Sequence, residues 1–164
     1  GIQYIDLQEI YHSYLYTNVD RSAKKYTFNP DINGGFMVTV LDRDDPNIEA
    51  DYTHVHFSLL TSEFLNASVY VYGGFNNFAT TAENRMVYNS KKGIYETSIL
   101  MKQGFYNYKY VVVDKDNVLL EGEISGNFDV TENNYKVVAY YREIGARYDR
   151  LIGLGEANSV EMTN

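Results

Sequence analysis

Cysteine and tryptophan are absent from this 164-residue chain, proline occurs twice and histidine three times. Without cysteine there is no disulfide, no thiolate metal ligand and no cysteine nucleophile. Basic residues are outnumbered, 14 Lys and Arg against 22 Asp and Glu, for a formal net charge of −8. That balance argues against a nucleic-acid binder, which needs excess Lys and Arg to displace counterions from phosphate, and it disfavours anionic membrane surfaces for the same reason. No apolar run approaches the roughly 18 residues of a membrane span. The longest local stretches, Tyr110–Val113 and Val137–Tyr141, are strand-sized. No signal peptide is visible, and a chain that opens on Gly1 without Met reads as an excised fragment. What the sequence has in excess is aromatic: 17 Tyr and 8 Phe. Tyrosine at this density suits strands and interfaces, where one end of the ring is dry and the other wet.

Strand signals outnumber helix signals. Gly35–Leu41 is β-branched and apolar, and Tyr52–Leu60 alternates, with Thr53, Val55, Phe57 and Leu59 on one face and Tyr52, His54, His56 and Ser58 on the other. Ala67–Tyr72, Arg85–Tyr88, Ile94–Leu100 and Phe105–Asp114 follow at regular spacing, with Gly73-Gly74, Gly93 and Gly104 as punctuation. Asp114–Asn117 reads as a hairpin turn into Val118–Glu121. Tyr135–Tyr141 and a weaker Leu151–Leu154 close the series. Pro30 and Pro46 fall in predicted loops. This pattern predicts an all-β, antiparallel sandwich of immunoglobulin-like type with few helical residues. Residues 1–34 lack a sustained period and are expected to form a connector, or the remnant of a preceding domain, ahead of a sandwich domain over 35–164.

Chemistry is sparsely signalled. His54-Val55-His56 places two imidazoles on one strand face, but a metal site needs further ligands and His12 is the only other histidine. The expectation is two solvent-facing residues and no metal. The acidic run Asp42, Asp44, Asp45, Glu49 and Asp51 lacks the spacing of a calcium loop, as does Asp114/Asp116, and both read as solvated turns. There is no G-x-S-x-G elbow and no phosphate-cradling glycine loop, and no pair among the acidic residues is singled out for glycoside hydrolysis. The chain reads as a non-enzyme with no cofactor and no small-molecule substrate.

Two resemblances add to this. The stretch Val69–Phe78 (VYVYGGFNNF), then Met86, Gly93–Thr97 and Gly104–Asp114 (GFYNYKYVVVD), resembles the early-set immunoglobulin-like modules that bind glycogen and starch, such as those of AMP-activated kinase β subunits and branching enzymes. In that family an exposed Trp stacks on sugar. The matching position is Phe78, the matching Lys is Lys109, and the second stacking Trp is missing near Val118. The resemblance therefore implies an α-glucan-like site at Phe78, Asn107 and Lys109, on a strand whose Tyr106, Tyr108 and Tyr110 face the core.

A longer match is similar to the C-terminal part of the type IX secretion plug protein family of Bacteroidota. It is carried by Asp42–Phe57 (DRDDPNIEADYTHVHF), Glu83–Asn89 (ENRMVYN), Leu100–Val113 (LMKQGFYNYKYVVV) and Tyr140–Ser159 (YYREIGARYDRLIGLGEANS). It implies a non-enzymatic periplasmic module that closes the periplasmic opening of an outer-membrane translocon barrel without inserting in the membrane. Arg142, Arg147, Tyr148, Asp149 and Arg150 form the densest Arg/Tyr cluster of the chain, suited either to docking on that partner or to an internal Arg147/Asp149/Arg150 ion-pair network.

Overall fold

A computed structural model of the chain describes residues 1–28, 31–40, 45–128 and 131–159. It divides into two compact units, one comprising Gly1–Lys25 with the chain up to Asn127, the other Tyr26–Phe28 with the chain from Phe128 onward.

The first unit is an all-β sandwich. Its larger sheet contains β1 (Ile2–Leu7), β2 (Tyr11–Leu15), β3 (Asn18–Val19), β5 (Tyr52–Leu60), β7 (Val87–Asn89) and β8 (Ile94–Lys102), in the order β1-β2-β5-β8-β7, with β3 also against β5. The second layer is β11-β10-β6, formed by β6 (Ser68–Tyr72), β10 (Lys109–Val113) and β11 (Leu119–Leu120). A short separate ladder joins β4 (Phe36–Val38) to β9 (Gly104–Tyr106), and a single helical turn, α1, covers Pro46–Glu49.

Alternation does what was expected of it in β5. Phe57 and Leu59 are buried beside Tyr95 and Met101 of neighbouring β8, in one core cluster with Val69 and Val71 of β6 and Tyr110 and Val112 of β10. Tyr108 packs edge-on against Phe57 (5.1 Å) and against Tyr110 (5.7 Å), so the tyrosine face of this segment does turn inward. The predicted turn is also present: Asp114 Oδ1 accepts from the backbone N–H groups of Asp116 and Val118 at 2.9 Å each, and β10 pairs antiparallel with β11. That carboxylate is a turn cap.

Four expectations need correction. Residues 1–34 are not a connector to a domain that starts at 35. β2 pairs in parallel with β5, from Tyr11↔Thr53 to Tyr14↔His56, and β3 does the same at Asn18↔Leu59, so the sheet is not purely antiparallel. The backbone groups of these strands are satisfied by β5, which makes them part of the sandwich. The Phe105–Asp114 segment is two strands, because it breaks at Asn107, whose N–H donates to Gly35 O at 3.0 Å and whose Oδ1 accepts from Ile32 N (2.7 Å) and Gly34 N (3.2 Å). Gly104, opposite Val38 in this ladder, sits so close to Met37 O that a Cβ there would overlap it. Finally, the sandwich ends near Asn127 and the remaining strands form a unit of their own. Pro30 and Leu41, assigned to a loop and a strand end, lie outside the described residues.

In the second unit β12 (Asn134–Tyr141) and β13 (Arg150–Asn158) form one antiparallel hairpin, with a register irregularity at Ala139/Tyr140. The base is closed by Asn133 N–H on Ser159 Oγ (2.8 Å) and Ser159 N–H on Asn133 O (2.9 Å), and Tyr26 packs tilted against Phe128 at 5.4 Å. Lys136 and Glu156, cross-strand partners, pair at 3.0 Å.

Candidate functional site

The hairpin is where the sequence placed its Arg/Tyr cluster, and its strands are exposed on both faces. Val137, Tyr140, Tyr148, Leu151, Ile152 and Leu154 are each more than half accessible. A lone two-stranded ribbon is marginal in water, and one with apolar side chains on both sides has surface to cover. At its tip, Arg142 donates to both Asp149 oxygens (Nε to Oδ1 2.8 Å, Nη2 to Oδ2 2.9 Å). This fork-to-fork bond raises the guanidinium pKa and closes the loop around Gly145, which holds φ +88°. Of the two alternatives, the Arg147/Asp149/Arg150 network does not form. Asp149 is taken by Arg142, and Arg147 and Arg150 make no ion pair among the described residues. The cluster thus separates into a structural pair and two exposed, uncommitted arginines beside Tyr148.

The residues of the sugar-type site do converge, around Tyr72 and Gly34. Phe78, 50% exposed, lies tilted on Tyr72 at 5.4 Å, Lys109 Nζ sits 5.7 Å over the same ring, and Gly34 lies beneath the Phe78 ring while donating to Asn107. Their chemistry is largely spent inside the fold. Asn107 Oδ1 holds the 32–34 turn, Lys109 is paired with Glu121, and Tyr72 is buried. Gly73 is required here because a Cβ would meet Asn107 O at 2.6 Å.

On the outer face of the larger sheet the structure gathers all three histidines, which sequence spacing alone did not. Parallel register sets His12 of β2 opposite His54 and next to His56. His12 stacks on both rings at 5.2 Å, and His12 Nδ1 lies 2.9 Å from His56 Nε2. Tyr14 continues the stack on His56 at 4.1 Å and Tyr4 on Tyr14 at 4.3 Å. The histidines are half-buried, not solvent-facing as expected, and burial together with the neighbouring imidazoles pushes the His56 pKa down. Among the described residues no group of three or more His, Asp or Glu side chains could hold a metal ion.

On the opposite, inner side of the same strands lies an open cavity of about 610 Å³ that no sequence signal announced. Leu15, Val55, Phe57, Tyr106 and Tyr108 line it, and its charged side chains are Asp51 and Lys102. A Ser13–Thr53 hydroxyl bond (2.9 Å) crosses its wall. Of the acidic run, Asp42 and Asp44 lie outside the described residues. Asp45 caps α1 through Asn47 N–H (3.0 Å) while Glu49 accepts from Asp45 N–H (3.1 Å), so these carboxylates serve a helix start.

No helix of the described residues is long and apolar enough to cross a membrane. No family model matches the chain and no curated protein does. A solved structure is similar: the crystal structure, at 2.30 Å resolution, of a hypothetical protein from Parabacteroides merdae, with 37% identity, a TM-score of 0.78 and coverage of 96% of this chain and 40% of that one. The chain therefore spans 40% of the length of the solved chain it matches.

Proposed function

We propose that the chain is a non-enzymatic interaction module of the periplasm, a plug that closes the periplasmic opening of an outer-membrane type IX secretion translocon. The carrying observation is the β12–β13 hairpin: the block that resembles the plug family, ending in GARYDRLIG, is an exposed apolar ribbon with Tyr148, Arg147 and Arg150 at its tip. Aromatic and arginine side chains free of internal partners are what dominate reversible protein interfaces. The similarity to a Parabacteroides merdae protein is in keeping with a Bacteroidota origin for the resemblance. Co-purification of the full-length protein with the translocon tests the reading. The Arg147→Ala/Tyr148→Ala double variant should lower capture by about tenfold or more, the cost of losing two interface anchors of about 1–2 kcal/mol each. Full capture by a protein lacking residues from Phe128 onward would remove the hairpin from the account, and recovery of no outer-membrane partner would end it.

A carbohydrate (α-glucan-like) module is the second reading, favoured by Phe78, Asn107 and Lys109 meeting at one place with Phe78 half exposed. One ring already leaning on Tyr72 and a lysine already paired offer little stacking area. Calorimetric titration with maltoheptaose is expected to give no heat, for wild type and Phe78→Ala alike. Heat that disappears in the variant would reverse the order of the two readings.

A further inference from the structure

We propose that the stacked imidazoles of His12, His54 and His56 are an acid-sensitive latch, which holds the β1–β2 hairpin to β5 at neutral pH and releases it when the patch charges. The hairpin joins the sheet along one short seam, the four parallel register pairs from Tyr11↔Thr53 to Tyr14↔His56. Every histidine of the chain stands on the outer side of that seam. His12 Nδ1 and His56 Nε2 share a hydrogen bond of 2.9 Å, and His12 stacks on both other rings at 5.2 Å. A bond between two ring nitrogens needs one N–H and one free lone pair. The pair can therefore take up one proton and keep its bond, as an imidazolium donating to a neutral ring. A second proton leaves two N–H groups and two like charges face to face, with a third ionisable ring at stacking distance.

Little around the patch can offset that charge. Among the described residues of the adjoining strands, Asp6 of β1 is the one carboxylate opposite a histidine, and it is exposed and accepts from Gln8 at 3.2 Å. From β8, the uncharged Leu100 faces His54 and Ser98 faces His56. Glu96, opposite Ser58, is held by Lys92 and Asn89, while Lys102, opposite Tyr52, lies over that ring and donates to Asn47 O. The other neighbours are phenol rings, Tyr14 on His56 and Tyr4 on Tyr14. Burial, and then the imidazoles of His12 and His54, hold the His56 pKa below the ordinary histidine value of about 6.5. A histidine depressed in this way binds its proton more weakly in the folded chain than in the unfolded one. Its contribution to the seam is whole above the ordinary value and is lost as pH falls below it. Release also has a consequence on the inner side of the same strands. Ile2, Ile5, Tyr11, Ser13 and Leu15 form one wall of the cavity, so an opened hairpin exposes it.

The latch does not rest on the plug reading, and its test uses the whole chain alone. Backbone amide exchange is followed by NMR at about pH 7.5 and about pH 5, corrected for the intrinsic rate at each pH. Protection of the β2 amides bonded across the seam should fall by about tenfold or more at the lower pH, while β6 and β10 keep theirs. His12→Gln and His56→Gln each retain a hydrogen-bonding side chain without the charge, and should shrink that loss to about threefold or less. In the unmodified chain the imidazole signal of His56 should titrate below the ordinary histidine value, a readout that does not hang on a variant folding. Equal β2 protection at the two pH values, a loss spread evenly over both sheets, a loss of wild-type size in both variants, or a His56 titration at or above the ordinary value would overturn the proposal.

Discussion

Raised above about pH 10, the protein should lose its fold and ionise its buried tyrosines in one cooperative step, visible as coincident changes in phenolate absorbance and far-UV circular dichroism. Tyr95, Tyr106, Tyr108 and Tyr110 all have phenol pKa values pushed up, burial being the largest cause in each. Tyr110 is the extreme case, 5% exposed and further raised by Tyr108 beside it. A phenol whose folded pKa is raised holds its proton more tightly in the native state. The associated stability is whole below the unfolded pKa of about 10 and is lost as pH climbs beyond it. Each pH unit above that point removes about 1.4 kcal/mol for a fully withheld tyrosine, so Tyr110 alone takes away on the order of 3 kcal/mol by pH 12, a large part of a marginal stability. Tyr110→Phe keeps the ring and deletes the titration, and should move the alkaline midpoint upward. A gradual, fold-independent titration of every tyrosine to pH 12 would contradict this account of the core.

The tyrosine excess that marks the composition is thus partly the core itself, and how readable that was differs from strand to strand. β5 is the most readable strand because the alternation of Tyr52–Leu60 turns Phe57 and Leu59 into the core, although His54 and His56 on its other face are half-buried. β1 and β2 could not be read. β1 is exposed on both faces, so no period marks it, and β2 is held by a parallel partner some forty residues away, a pairing local pattern does not encode. The same blindness hid the histidine patch: H-x-H was plain in the sequence, while the third imidazole arrives only through parallel register. The split between β9 and β10 is likewise long-range, imposed by the 32–35 turn on Asn107. At the hairpin, composition located the Arg/Tyr cluster, but not that Arg142 would claim Asp149 and leave Arg147 and Arg150 exposed.

Asn84 carries the largest expected mutational effect, although no motif points to it. It is 2% exposed and all four of its hydrogen-bonding positions are used. Nδ2 donates to Val71 O at 2.7 Å and Ala79 O at 2.9 Å, while Oδ1 accepts from Thr81 N–H at 2.8 Å and Thr81 Oγ1–H at 2.9 Å. The side chain thereby ties the end of β6 to the loop that carries Phe78, just before Met86 returns to Val69 O at 2.8 Å and buries its own side chain. Asn84→Ala leaves the carbonyl of buried Val71 without its closest donor, while Ala79 is half-buried and Thr81 is reached by solvent. Asn76 Nδ2 still reaches Val71 O and Ala79 O at 3.2 and 3.4 Å, which softens the loss, leaving an expected cost of about 2–4 kcal/mol and a fall in thermal midpoint on the order of 10 °C. Asn84→Asp, nearly the same shape, should be worse at neutral pH, since it turns a carboxylate oxygen toward two carbonyls. Protonating that buried carboxyl restores one donor, so this variant alone should gain stability relative to wild type as pH falls from about 7 toward 5. Denaturant unfolding of the three proteins at both pH values reads the effect directly. Equal stability of wild type and Asn84→Ala would mean that water enters and replaces the amide.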